Sequence, residues 1–147
     1  MSTEVKLVVR SARLDDAEFI AALMTQLGYA VPVPTLAARL ARLEKRREVF
    51  VATDADRVVG WAALLIDETF VEGFGAYLEG FVVDESARGQ GIGVQLLEAV
   101  EARARERGCA EIRVQSNVAR ERAHSFYERN GYTKVKAQYQ LRKPLRR

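Results

Sequence analysis

The chain sorts its apolar residues into two periods, and the switches between them mark its elements. Val5 to Arg10 has strand character. Phe19, Ile20, Leu23, Met24 and Leu27 then recur on one helical face, and Gly28 stops them. Asp15 is placed to cap that helix, with Glu18 three residues on in a capping-box arrangement. Tyr29 to Pro34 predicts a loop, after which Thr35 caps a second helix striped by Leu36, Leu40 and Leu43. Val49 to Ala52, the turn Asp54-Ala55-Asp56 and Val58 to Ile66 predict a hairpin. Asp67 to Gly75 is expected as a loop and Ala76 to Val83 as the third strand of that group. Gly91 opens a helix in which Gly93, Leu96, Leu97, Val100 and Ala104 share a face, and Gly108 closes it. Ile112 to Gln115 predicts a strand, and Ala119 to Arg129 a last helix that carries Ala123, Phe126, Tyr127 and Asn130 on one side. Gly131 ends it, and Tyr132 to Leu141 alternates as a final strand.

The predicted order is strand, two helices, three strands, helix, strand, helix, strand. Consecutive strands pair most simply as an antiparallel meander, whereas a helix between Val82 and Gln115 calls for a parallel crossover. Together they predict a mixed α/β (α+β) fold, a central twisted mixed sheet flanked by helices, as one domain over residues 1–147. A Rossmann repeat does not fit this order.

Composition removes several chemistries. With 147 residues, 48% of them hydrophobic, the chain can bury a core. One cysteine, Cys109, and one histidine, His124, cannot build the usual Cys/His zinc site, and no acidic motif suggests magnesium, so no metal is expected. Cys109 reads as a small buried residue and His124 as a structural or partly exposed side chain. No Gly-x-Ser-x-Gly elbow is present. The longest apolar run, Val58 to Ile66, is nine residues, against roughly 20 for a membrane span. No apolar leader segment precedes it, so a cytoplasmic protein without membrane contact is expected. A net charge of +3 is too small to imply nucleic acid. The charge is uneven, however. Arg39, Arg42, Lys45, Arg46 and Arg47 form one basic run, whereas Asp67, Glu68, Glu72 and Glu79 form an acidic stretch that favours a cationic substrate unless it is simply a solvated face.

Two motifs carry chemistry. Arg88-Gly89-Gln90-Gly91-Ile92-Gly93 joins a strand to a helix. Glycines there let a ligand approach the backbone, and the helix start favours a phosphate. No lysine follows, so a nucleoside triphosphate loop is a poor match. The second motif runs from Ser116-Asn117-Val118 through Ala123-His124-Ser125-Phe126-Tyr127 to Gly131-Tyr132. In combination and in this order, the two resemble the GNAT superfamily of acetyl-CoA-dependent N-acetyltransferases over nearly the whole chain. The second is also similar to the aminoalkylphosphonate acetyltransferase branch.

That resemblance implies roles residue by residue. The backbone of Phe81, Val82 and Val83 would pair with the pantetheine arm of acetyl-CoA. The amides from Arg88 through Gly89, Gln90, Gly91, Ile92 and Gly93 would hold its pyrophosphate, with Arg88 adding charge. Asn117 would contact the pantetheine, and Tyr127 would lie near the thioester sulfur as general acid. The Val83 amide would serve the developing oxyanion. Relatives place a glutamate at the position occupied here by Tyr77. Glu79 lies two residues on, and strand alternation puts both on one face. Glu79 or water then takes the amine proton, while Tyr77, Glu79 and Tyr29 line the acceptor site. The implied function is acetyl transfer to a primary amine of a small molecule. A protein or peptide N-acetyltransferase and a non-catalytic acyl-CoA-binding sensor are the alternatives. The acidic stretch favours a cationic acceptor and the branch resemblance an anionic amine. A homodimer is a further implication of the family.

Overall fold

A computed structural model describes residues 7–146, so Val5 and Lys6 of the first predicted strand lie outside the described residues. The chain divides into two compact units, Met1–Gln115 and Ser116–Arg147.

In the first unit β-branched and aromatic runs form five strands: β1 (Leu7–Ser11), β2 (Arg47–Asp54), β3 (Arg57–Thr69), β4 (Gly73–Val83) and β5 (Ile112–Val114). They lie in sequence order, antiparallel from β1 to β4 and parallel between β4 and β5. The mixed sheet predicted from the element order is thus present. The expected loop from Asp67 to Gly75 is mostly strand, because ladder rungs continue out to Thr69 opposite Gly73. Only Phe70 to Glu72 turn the chain. The two-residue turn between β2 and β3 places Ala55 at a φ of 55°, a left-handed conformation that a β-carbon disfavours.

Helix α1 (Ala17–Thr25) follows a 3-10 turn at Leu14–Asp16. Here the structure corrects the expected cap. Asp16, not Asp15, closes the start, accepting the Arg13 amide at 2.7 Å and Arg10 Nη1 and Nη2 at 2.8 and 3.0 Å. Asp16 is 5% exposed, and the Arg10 guanidinium holds its carboxyl below the usual carboxylate range. Helix α2 (Val33–Ala41) begins earlier than expected. Proline needs no amide partner and its φ suits a first turn, so Pro32 caps the helix, Pro34 lies in its first turn and Thr35 is inside it. Helix α3 (Ile92–Glu106) ends at Gly108, whose φ of 83° lets the Cys109 amide reach back to the Ala104 carbonyl at 3.0 Å.

Alternation gives the sheet two faces. Ile20, Leu23 and Leu36 of α1 and α2 pack with Val51, Trp61 and Val82 on one of them. The other meets α3: a β-carbon on Gly60 would lie 2.9 Å from the Val82 carbonyl oxygen and 3.5 Å from Leu96 Cδ2. Leu96, Val100, Ala62 and Val51 are fully buried.

The second unit contains α4 (Glu121–Arg129), which starts two residues after the predicted Ala119. The strand expected from Tyr132 to Leu141 is absent: no ladder rung is formed there among the described residues, and Val135, Tyr139 and Leu141 are exposed. Alternation supplies a two-faced strand, but only a hydrogen-bonding neighbour makes one.

Candidate active site

β4 carries Tyr77, Glu79, Phe81, Val82 and Val83 of the expected site residues, and its register explains their placement. Ala63 faces Gly80 while Leu64 faces Leu78, so Glu79 is an extra residue with no opposite number. Such a bulge re-aims side chains. Directly beside it, a β-carbon on Gly80 would lie 2.7 Å from Trp61 Cη2 and Cζ3, so the indole ring needs a glycine there. The Trp61 Nε1–H is buried and lacks an acceptor among the described residues.

Glu79 lines a cavity of about 520 Å³ between the sheet and the α1–α2 pair. Its walls are apolar at Ile20, Met24, Leu36, Leu40, Val49 and Trp61, and Arg39, Arg42, Arg47, Glu44 and Glu48 also line it. Arg47 Nε and Nη2 donate to Glu79 Oε2 and Oε1 at 3.2 and 3.3 Å. That hydrogen-bonded carboxylate raises the Arg47 pKa further above its ordinary value. Tyr77 and Tyr29 are not among the residues lining this cavity. The Tyr77 phenol accepts from Arg113 Nη1 at 3.4 Å, and Tyr29 is exposed in the loop after α1.

Phe81, Val82 and Val83 lie beyond the last rung of the β4–β5 ladder, which ends at Leu78 opposite Val114. After β4, Asp84 folds the chain into a 3-10 turn over Glu85–Ala87 by accepting the Ser86 amide at 3.2 Å. Gln26 of the α1 end ties down this turn, accepting the Glu85 amide at 3.1 Å and donating to Asp84 at 3.3 Å. The glycine motif follows. Gly89 and Gly91 have φ of 85° and 78°, in the left-handed region, and a β-carbon on either would meet nothing within 4 Å. They are required by conformation and not by crowding. Gly91 caps α3 without a side-chain hydrogen bond. The amides of Ile92, Gly93 and Val94 are therefore the first-turn donors that no intrahelical carbonyl can take. Arg88, Gly89, Gln90 and Gly91 are exposed, while Ile92 is 1% exposed and anchors the turn. An exposed turn with outward amides, a helix dipole and one arginine suits a diphosphate.

The second unit holds the other two expected residues. Asn117 Oδ1 accepts the Ala119 amide at 2.9 Å, and its main-chain carbonyl accepts the Arg120 amide at 2.9 Å. His124 Nε2 lies 2.9 Å from the same carbonyl, which can only accept, so Nε2 carries the proton. His124 thus secures the start of α4, as its structural reading expected. Tyr127 is buried, with the Phe126 and Tyr132 rings each 5.5 Å away. Burial pushes its phenol up to about 12, against a smaller opposing pull from Arg120. At neutral pH it is a protonated donor.

Sequence reasoning gave Arg39, Arg42 and Arg47 no role beyond membership of a basic run. The available signal was the position of Arg47, two residues before Val49 on the same strand face. Among the described residues, no group of three or more His, Cys, Asp or Glu is arranged to hold a metal, and no helix is long and apolar enough to cross a membrane.

The profile of the acetyltransferase (GNAT) family matches residues 17–132. Over 100 residues the chain is 38% identical to an aminoglycoside N(6')-acetyltransferase type 1 of Klebsiella aerogenes, covering 66% of this chain and 65% of that enzyme. The chain thus spans just under two thirds of that relative's length. Over 125 residues it is 31% identical to a glucosamine 6-phosphate N-acetyltransferase of Trypanosoma brucei brucei, covering 78% and 83%. The fold matches that of the aminoglycoside N-acetyltransferase AAC(6')-Iy in complex with CoA, with a TM-score of 0.86, 21% identity, and coverage of 97% of this chain and 98% of that one. The family profile agrees with the glycine turn and the parallel crossover: the chain belongs to the GNAT family of acetyltransferases.

Proposed function

We propose that this chain is a single-domain N-acetyltransferase that passes the acetyl group of acetyl-CoA directly to a primary amine of a small molecule. The observation that carries this reading is the exposed glycine turn at the start of α3, with Gly89 and Gly91 both left-handed and the first-turn amides uncapped. Arg88 and the amides through Gly93 bind the pyrophosphate of acetyl-CoA. Phe81, Val82 and Val83 pair with its pantetheine arm, which the early end of the β4–β5 ladder supports. Asn117 contacts the same arm. The cosubstrate supplies an acyl group on a thioester, already activated towards an amine.

The chain's own residues then have three tasks. An alkylammonium has a pKa of about 10, so Glu79, directly or through a water, removes a proton before the nitrogen can attack. The Val83 amide donates to the carbonyl oxygen as negative charge builds there. As the carbon–nitrogen bond forms and the carbon–sulfur bond breaks, the nitrogen sheds its second surplus proton to water, and Tyr127 gives its proton to the departing sulfur and regains one from solvent. The burial that holds the phenol protonated supports that role. The similarity to enzymes named for aminoglycosides and glucosamine 6-phosphate supports an amine on a sugar as acceptor.

Release of free thiol from acetyl-CoA, followed across amino sugars, polyamines and peptides with free N-termini, tests the proposal. Turnover with small amines is expected. Turnover with peptides alone would replace the small-molecule acceptor by a protein one. Acetyl-CoA binding without turnover on any amine would reduce the chain to a sensor.

A further inference from the structure

Two features of the folded chain are incomplete, and each supplies what the other lacks. β5 closes the sheet at one end, and among the described residues no strand covers its far edge. Its rungs set Ile112 opposite Ala76 and Val114 opposite Leu78. Ala76 and Leu78 are buried, whereas Ile112 and Val114 are only half-buried. The apolar layer of the sheet thus stops one strand short at this edge. The stretch over residues 132–141 has the opposite defect. Val135, Ala137, Tyr139 and Leu141 alternate with Lys134, Lys136, Gln138 and Gln140, so an extended backbone puts the two sets on opposite sides. From Thr133 onward the stretch makes no backbone–backbone hydrogen bond among the described residues, and Val135, Tyr139 and Leu141 are exposed. Charge fits as well. Arg113 of β5 pairs with both Glu72 and Glu111, which leaves one net negative charge beside the open edge. The polar side of the stretch brings Lys134 and Lys136, of which Lys134 also lies 3.7 Å from Glu128.

We propose that residues 132–141 of one copy add as a strand to the open edge of β5 in a second copy, which returns its own strand in the same way. The family resemblance implies a pair of chains without saying what joins them. Here the joint is a strand exchanged in both directions. The occupant is a second copy because one chain carries both incomplete halves. Exchange about a twofold axis completes both edges at once and closes the assembly. A foreign strand would cover β5 yet leave the chain's own apolar stretch in water. In the exchanged pair Val135, Ala137, Tyr139 and Leu141 continue the layer of Ile112 and Val114, and the lysines fall on the side of Arg113 and its two glutamates. The edge of β5 supplies the backbone partners that the stretch lacks. None of this depends on acetyl transfer.

Sedimentation equilibrium of the intact chain, with amide hydrogen exchange at the same concentrations, tests the exchange. The wild-type chain should be a dimer at micromolar concentration. Amides within residues 133–141 should exchange slowly in that dimer and rapidly once dilution dissociates it. Y139K/L141K should raise the dimer dissociation constant at least about 100-fold, the scale of two apolar side chains withdrawn from a buried layer in each copy. Both side chains are exposed in the single chain, so the stability of the dissociated chain should not change. F70S, at an equally exposed position in the turn between β3 and β4, should leave association unaltered. A monomer at every concentration, a dimer indifferent to Y139K/L141K, or one that F70S dissociates equally would overturn the proposal. So would a dimer in which the amides of residues 133–141 exchange at the unprotected rate. Slow exchange of those amides in a monomer would put the strand within its own chain and overturn it as well.

Discussion

β4 and the stretch from Tyr132 to Leu141 carry the same kind of alternation, yet only the first is a strand. β4 is laddered to β3 along its length and to β5 at Ala76, Tyr77 and Leu78, and it buries Ala76 at 0% and Leu78 at 4% exposure. In the later stretch Val135, Tyr139 and Leu141 stand 86%, 96% and 90% exposed. Alternation decides which side chains could share a face. The neighbours on each edge decide whether a strand exists at all. β4 adds a second lesson, because it departs from strict alternation at Glu79, where the candidate site forms.

Substitutions in the two regions should therefore differ sharply, and the largest effect is expected at the bulge. Gly80→Ala drives a methyl group into the Trp61 ring and should cost about 3 kcal/mol in urea unfolding. A cost near zero would mean that the ring can move aside. Tyr127→Phe keeps the packing with Phe126 and Tyr132 but removes the acid, so kcat should fall about 100-fold with little change in melting. Tyr139→Phe in the exposed stretch should leave both unchanged.

Asp16 tests whether an edge contact close to β1 matters as much as the β4 ladder. Its carboxyl lies below the ordinary value because of Arg10. The stabilisation is present above the unfolded-state value of 3.8 and is lost as pH falls through the lower folded value. Asp16→Asn should cost about 2 kcal/mol at pH 7 and flatten the acid limb of the stability curve. An unchanged limb would assign that limb to other carboxylates. Gly89→Ala should cost about 1 kcal/mol for its left-handed φ and also weaken acetyl-CoA binding. Val135→Ser should fall within about 0.5 kcal/mol, and a larger loss would reveal a partner for that stretch.

How far the sequence was legible follows the same division. Helical stripes and glycine stops located α1, α3 and α4, because local spacing and capping fix a helix without reference to distant residues. The glycine motif was legible for the same reason, since its conformation is set by its own residues. Asp15 and Thr35 failed as caps because Arg10 recruited Asp16 and Pro32 preceded a helix that Pro34 could enter. The bulge at Glu79, the Arg47 pair and the cavity were out of reach. Each depends on a register between strands far apart in the chain, and period alone does not encode it. The ion pairs of the acidic stretch were out of reach in the same way, for its arginine partners are Arg46 just before β2, Arg47 in β2 and Arg113 in β5.

The central claim is that the turn from Arg88 to Gly93 binds acetyl-CoA. Its most direct test is the unfolding free energy of the wild-type chain with acetyl-CoA at 100 times its dissociation constant, with NADH at equal concentration as the control. The account predicts a gain of about 2.7 kcal/mol with acetyl-CoA, none with NADH, and a smaller gain in Gly89→Ala. No gain with acetyl-CoA, or an equal gain with NADH, would contradict it.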